Sequence, residues 1–555
     1  MVHNLVDYLR SGRIGRRDFL RALTVLGVSA ATANALAACA SPTTPAATPA
    51  ATTAKPAATT APTARTAVTP AATATQAAAA TGPKKGGTLR RGWQPPTQLD
   101  PALQSSTSEI AACSQMYDWF VWIDEKNQPA KALATDWESN KEGTVWTFTM
   151  LKGVTFHNGK TLTVDDVVFT FNRLRDKSTG AATASLYTNI SDVKALDPTH
   201  VQFTLAKPNP ELPADLGDYH AGIVASDTKD FKKTFNGTGP FILDKFSPED
   251  RATFKRNPNY WMTGLPYLDG VQDIYSPQQS AQVEALRGGQ LDVVMGLGAE
   301  LAETLKKEGK TSLHVSEPNL QFVIHIRSDR PPGQDNRVRQ ALKLATDRSA
   351  ILQAARLGYG VVGHDTPIGP LYGDYYLDVP ELKRDVAKAK ALLKEAGYEN
   401  LKITLMAQTA FDIPKIAVVW KEQLAEAGVT VDINQVPPEV YYNDWLEVDF
   451  GITEWALRAT PQPYLQLAYM TGAKWNETHW SDKELDELTM QAASELDRAK
   501  RADLYKRIQQ IFIDRGPIIM PYFERTVVAT SPKVKGVVVH PDFPRSTMRA
   551  VYIES

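Results

Sequence analysis

Residues 454–461 read Glu454-Trp455-Ala456-Leu457-Arg458-Ala459-Thr460-Pro461 and set an indole at the end of a short strand at 452–455 and a guanidinium just past it. An arginine offers a planar fork of donors that fits a carboxylate or phosphate. The same fork serves a structural ion pair with a nearby Asp or Glu, and the sequence leaves both uses open. Aromatic residues gather around this stretch: Tyr441, Tyr442, Trp445, Trp455, Tyr464, Trp475 and Trp480. Aromatics dominate cores, and they also wall pockets that stack on flat or ring-shaped ligands such as sugars. Groups that would do covalent chemistry do not assemble. The nine histidines are scattered, and no His-Glu-x-x-His spacing occurs. No Gly-x-Ser-x-Gly nucleophile turn lies in residues 86–555. The loop Asn236-Gly237-Thr238-Gly239-Pro240-Phe241 is Gly-rich but lacks the Lys-Ser/Thr of a phosphate-binding loop. A binding protein is therefore expected rather than an enzyme, with no cofactor and no metal.

The elements that position these residues form a long chain. At 555 residues one hydrophobic core is not enough, so two or more domains are expected. Net charge is −1, with no basic stripe or arm, so nucleic acid is not an expected partner. Turn and cap chemistry divides the chain into strands and helices. A strand at 88–93, a polar loop at 94–108 and a helix at 110–120 open the folded part. Strands follow at 145–150, 322–326, 401–406, 429–433 and 518–523, with a last one at 537–539. Helices are expected at 278–287, 387–396 and 416–427, and most of 485–512 is helical. The strand–helix–strand alternation in the second half argues for an α/β arrangement.

The first 85 residues read differently. Gly15-Arg16-Arg17-Asp18-Phe19-Leu20-Arg21 resembles a twin-arginine export signal, with Arg16 and Arg17 as its pair. A mild Ala-rich run follows and ends in Leu36-Ala37-Ala38-Cys39, a lipobox in which Cys39 would carry the lipid. Residues 1–38 are read as a lipoprotein signal peptide whose removal takes five Arg and two Asp, leaving about −4. Residues 40–85 are nearly all Ala, Thr and Pro and cannot bury a core. They read as a disordered tether with a span of about 35–40 Å. Cys113, the second of two cysteines, is then left unpaired as a small buried apolar residue.

One stretch is distinctive in its wording. Residues 151–174 read LKGVTFHNGKTLTVDDVVFTFNRL. Gly153 and Asn158-Gly159 supply turns, and Thr163 caps a helix whose first turn carries Asp165 and Asp166. Val167, Val168, Phe171 and Leu174 form its apolar face. The stretch resembles the signature of the family 5 solute-binding proteins of bacterial ABC importers, which include peptide, nickel and oligosaccharide receptors. Leu99-Asp100-Pro101, the loop at 236–241, Arg256-Asn257-Pro258-Asn259-Tyr260-Trp261 and Val338-Arg339-Gln340-Ala341-Leu342 resemble further blocks of that family. His157, inside the signature, is then structural.

The resemblance implies an α/β, two-lobed periplasmic binding protein-like fold of type II (large, cluster C type), with crossing hinge strands. Lobe I would hold residues 86–325 and 525–555, with an inserted subdomain at about 131–235, and lobe II residues 326–524. A monomer, a solute held between the lobes and delivery to a membrane ABC permease are implied. Ligand contacts are expected from Trp93, Thr107, Ser108, Gln408, Tyr441, Trp455, Arg458, Trp475, Trp480 and Tyr522. In the family's dipeptide receptors, the stretch similar to 455–461 carries an aspartate that pairs with the ligand ammonium. Arg458 stands at that place, and the loop Gln408-Thr409-Ala410-Phe411 lacks the arginine that binds the dipeptide carboxylate. Simple free dipeptides are therefore disfavoured. A peptide-like or anionic solute is expected, with an oligosaccharide as the alternative.

Overall fold

The computed structural model describes residues 82–554, Ala182 excepted, and they lie within one compact unit, Ala80–Ser555. Arg16, Arg17, Cys39 and most of the tether lie outside the described residues. No helix among the described residues is long and apolar enough to cross a membrane.

The main sheet is built from β1 (Thr88–Trp93), β2 (Phe241–Ser247), β3 (Arg251–Arg256), β4 (Gly270–Tyr275) and β5 (Val293–Leu297), then β6 (Ser312–Ile326), β7 (Lys402–Gln408), β8 (Thr430–Val436), β9 (Phe450–Trp455) and β10 (Tyr522–Thr530). Its order is β8-β7-β9-β6-β10-β5-β1-β4-β3-β2. The two long strands at its middle, β6 and β10, join two lobes. At one end β10 pairs with β5, and at the other β6 pairs with β9. A separate four-stranded antiparallel sheet carries Val145–Met150 between Ala134–Ser139 and His200–Leu205.

Each lobe has its own apolar packing. Helix α1 (Thr107–Met116) and strands β1, β2 and β4 share the core of Leu89, Met116, Phe241 and Val271. Helix α2 (Val164–Arg175) buries Val167, Phe171 and Leu174 on the four-stranded sheet, against Phe148 and Phe203. In the second lobe, α3 (Ile413–Glu426) packs Ile416 and Trp420 onto Leu405 and Ile452. The short α4 (Pro438–Asp444) leads into β9. The paired helices α5 (Lys483–Ser494) and α6 (Arg498–Arg515) enclose Leu488, Tyr505 and Phe512 with Trp480.

The signature stretch is structural. Thr163 caps α2 by a reciprocal pairing with Asp166, whose Oδ2 accepts from the Thr163 N–H and hydroxyl, both at 2.9 Å. His157 is held 3.0 Å from the Gly239 carbonyl, and burial pushes its pKa down to about 4. The glycines at 237 and 239 allow close backbone approach: a Cβ on Gly237 would lie 2.1 Å from the Met116 carbonyl oxygen. Cys113 is free and fully buried, and burial raises its pKa.

Two expectations need correction. The helix expected to reach residue 120 ends at Met116, because Tyr117 turns to extended backbone and Val121–Ile123 becomes a strand. The apolar run at 117–120 is core in either conformation, so periodicity could not mark the change. The stretch at 485–512 is mostly helical, as expected, in two helices separated where Asp497 caps α6 through the Ala499 and Lys500 N–H groups. Residues 537–539 form no strand. Val534–Lys535 pairs with Tyr552–Ile553, and Gly536 then leaves the extended region with φ of +73°.

Candidate ligand-binding site

In the second lobe β7 runs parallel to both β8 and β9. The chain leaves β7 through α3 to reach β8 on one side, then returns through α4 to β9 on the other. Strand order reverses at β7. In open α/β sheets ligands sit in the crevice beyond the carboxyl ends of strands at such a point. The first lobe repeats the device, with β1 parallel to both β4 and β5.

The carboxyl ends of β7 and β9 bring Gln408 beside Glu454. The Gln408 amide donates to Glu454 Oε2 at 2.5 Å, and the Tyr442 hydroxyl donates to Oε1 at 2.6 Å. Burial raises the Glu454 carboxyl above the usual range. Glu454 lies in register with Phe322, whose ring meets Phe411 at 6.3 Å and Tyr522 at 5.3 Å. Phe411 is 60% exposed, unusual for a large apolar side chain. The Tyr522 hydroxyl is buried with no hydrogen-bond partner.

Trp455 joins a continuous aromatic chain. Tyr441, Tyr442, Trp445 and Trp455 follow at 5.4, 5.7 and 6.2 Å, and Trp455 also meets Tyr464 and Trp475 at 6.3 and 6.1 Å. Behind this chain Glu477 is fully buried. It accepts from Thr453 Oγ1 at 2.6 Å and from the Trp455 indole at 3.3 Å, and its Oε2 lies 3.3 Å from His325 Nδ1. Trp480 stands apart, packed on Phe512 at 5.1 Å.

Arg458 lies in the loop beyond β9, half-buried. No carboxylate lies within ion-pair distance of its guanidinium among the described residues, while its charge acts on Tyr219 and Asp542 of the first lobe. The loop itself is fixed through its backbone. Asn127 of the first lobe reaches across, its amide donating to the carbonyls of Arg458 at 3.2 Å and Ala459 at 3.1 Å. Tyr372 donates to the same Arg458 carbonyl at 2.8 Å, and the Arg458 N–H donates to Tyr464. A second bridge joins the lobes where Tyr375 donates to Glu211 at 2.8 Å, with Arg501 3.6 Å from the same carboxylate.

The first-lobe residues expected at the ligand are mostly structural in placement. Trp93 is buried, stacked 6.1 Å from Phe543. Ser108 is buried in α1, and Thr107 at its start is exposed. Glu109 gathers the preceding loop, accepting from Thr97, Gln98, Ser105 and Ser106. Asp100 is committed to Arg173 by two hydrogen bonds. Tyr441 is buried with its hydroxyl 2.7 Å from Thr453. No motif or spacing in the sequence marks Asn127, Gln104 or Arg545 as functional. Gln104 and Arg545 are buried side chains with unpaired polar nitrogens. Glu454 alone carries a sequence signal, as a carboxylate near the end of a short strand. No group of three or more His, Cys, Asp or Glu that could hold a metal occurs among the described residues.

Two lobes joined by crossing strands, each with a strand-end crevice, define a type II periplasmic binding protein. The family model for bacterial extracellular solute-binding proteins, family 5, matches residues 128–477, and the chain belongs to that family. It is 26% identical over 475 residues to the glutathione-binding protein GsiB of Escherichia coli K12, covering 80% of this chain and 90% of that one. DppA from Helicobacter pylori, solved with the peptide STSA, superposes with a TM-score of 0.69 at 25% identity, over 85% of this chain and 99% of that one. CtaP from Listeria monocytogenes shares the fold with a TM-score of 0.76 at 23% identity, over 85% of this chain and all of that one. The protein is a solute-binding receptor of an ABC importer.

Proposed function

We propose that this receptor captures a peptide-like solute bearing an anionic group, and that Arg458 meets that group as the lobes close. The observation that carries the reading is an arginine at the crevice with no carboxylate within ion-pair distance among the described residues. A half-buried guanidinium without a counter-ion is costly, and a ligand carboxylate removes that cost while giving a bidentate contact. The relatives support a peptide-like class: one is named for glutathione, a tripeptide with two carboxylates, and another holds a tetrapeptide. The ligand lies between lobe I (86–325 and 525–555) and lobe II (326–524). Trp455, Gln408 and Tyr522 line the second-lobe side with Trp475, Tyr441 supports that wall from behind, and Trp480 packs on Phe512 apart from it. Thr107 belongs to the first-lobe rim, with Trp93 and Ser108 buried beneath it.

The chain is exported through its twin-arginine leader and anchored by lipid on Cys39. It works as a monomer at the outer face of the membrane and passes its solute to a permease without altering it. The tether at 40–85 lets the loaded receptor travel to that permease. A thermal-shift screen of residues 86–555 against peptides, oligosaccharides, organic acids and metals tests the ligand class. A ligand at 100 times its Kd adds about 2.7 kcal/mol to stability. A rise with peptide acids that Arg458→Ala removes is the expected result. A rise with a neutral sugar that survives Arg458→Ala would overturn it.

A further inference from the structure

We infer that Glu454, framed by Gln408, Tyr442 and Phe411, is the receptor for a cationic group on the ligand, an ammonium or guanidinium. This rests on the peptide-like reading above and adds the opposite end of the solute. Glu454 is a largely buried carboxylate at the strand-end crevice, and no Lys, Arg or His ion-pairs with it among the described residues. Its neighbours are hydrogen-bond donors without charge: Gln408 holds one oxygen and Tyr442 the other. A carboxylate has about four lone-pair positions, and these two bonds leave some open. The two donors fix the carboxylate's orientation in advance, which spares a ligand that ordering cost.

The surroundings fit a cation rather than a second neutral donor. Tyr442 and Phe411 are exposed aromatics, 40% and 60%, and aromatic faces attract ammonium and guanidinium groups. Three other carboxylates of this lobe have an arginine: Asp412 and Glu524 share Arg356 at 3.2 and 2.9 Å, and Asp365 pairs with Arg348. Glu454 differs from them in having no cation of its own. Arg458 stands four residues further along the chain, so the two Cα atoms are no more than about 14 Å apart. Two oppositely charged residues within that reach suit a short zwitterionic peptide, its ammonium at Glu454 and its anionic group at Arg458.

The test is native mass spectrometry and titration of the full chain with an equimolar tri- to pentapeptide pool and an N-acetylated copy of it. N-acetylation removes the ammonium and leaves the carboxylate. The wild type should bind the free pool at least tenfold more tightly. Glu454→Gln should remove that preference by weakening the free peptides alone, and Glu454→Asp, which keeps the charge, should fall between. Equal binding of both pools by the wild type overturns the inference while leaving the peptide reading in place. So does a preference that survives Glu454→Gln. Binding of neither pool refutes the peptide reading, and the inference with it. The wild-type comparison decides even if a variant fails to fold.

Discussion

Asn127→Gly separates closure from ligand contact. Asn127 sits in a turn of the first lobe at φ of +57°, a conformation that glycine adopts without strain. Its amide makes two hydrogen bonds across the cleft, to the carbonyls of Arg458 and Ala459, and the residue is 2% exposed. A buried neutral hydrogen bond contributes about 1 kcal/mol net, so both together contribute about 2 kcal/mol to the closed form. That is about a 30-fold change in the closure equilibrium. Binding that requires closure weakens by the same factor. The bridge of Tyr375 and Arg501 to Glu211 remains, so closure is weakened rather than abolished. Stopped-flow displacement of a bound ligand should show the loss chiefly as faster release, since affinity changes at one interface are mostly changes in koff. Melting temperature of the ligand-free protein provides the folding control. Unchanged release and unchanged Kd would refute the coupling of Asn127 to the ligand loop.

Glu477→Ala strips the buried acceptor shared by Thr453, Trp455 and His325 and should cost about 3 kcal/mol in urea denaturation. A loss below about 1 kcal/mol would show that the network is not holding the aromatic wall. Gly237→Ala would drive a Cβ to 2.1 Å from the Met116 carbonyl and should lower stability by about 3 kcal/mol in the same assay. Asp118 is buried, and burial raises its pKa to about 6 despite donors from Tyr260, Trp261 and Thr238. The folded chain thus takes up a proton before the unfolded chain as pH falls from about 6 to about 4. Relative to Asp118→Asn, the wild type should gain up to about 3 kcal/mol across that window. His157 and His540, held near 4 and 3, act in the opposite sense in both proteins, so the difference isolates Asp118.

What could be read from the chain alone was local. The turn and cap residues of 151–174 specify strand, turn and helix by short-range chemistry, and the structure forms them with Thr163 as the cap. Strands at 145–150 and 402–408 and the helix ends at Gly397 and Gly428 follow from alternation and left-handed glycines. The aromatic grouping at 441–475 was legible as a cluster, although Trp480 belongs to a different packing contact. Features created by approach of distant segments were not legible. Asn127 meets a loop more than 300 residues away, and no spacing rule connects them. Whether Arg458 had a structural carboxylate partner depended likewise on what the fold brings near it. Three consecutive valines at 537–539 favour a strand by propensity, while pairing is decided by the partner at 552–553, which takes Val534–Lys535 instead.

The most direct measurement is a calorimetric titration of the wild type and Arg458→Ala with one bound peptide and its C-terminal amide, which lacks the carboxylate. The account predicts that the wild type prefers the acid by at least tenfold and that the variant binds both alike. Equal affinity of the wild type for acid and amide, or a preference unchanged in the variant, would contradict an anion-reading arginine in this cleft.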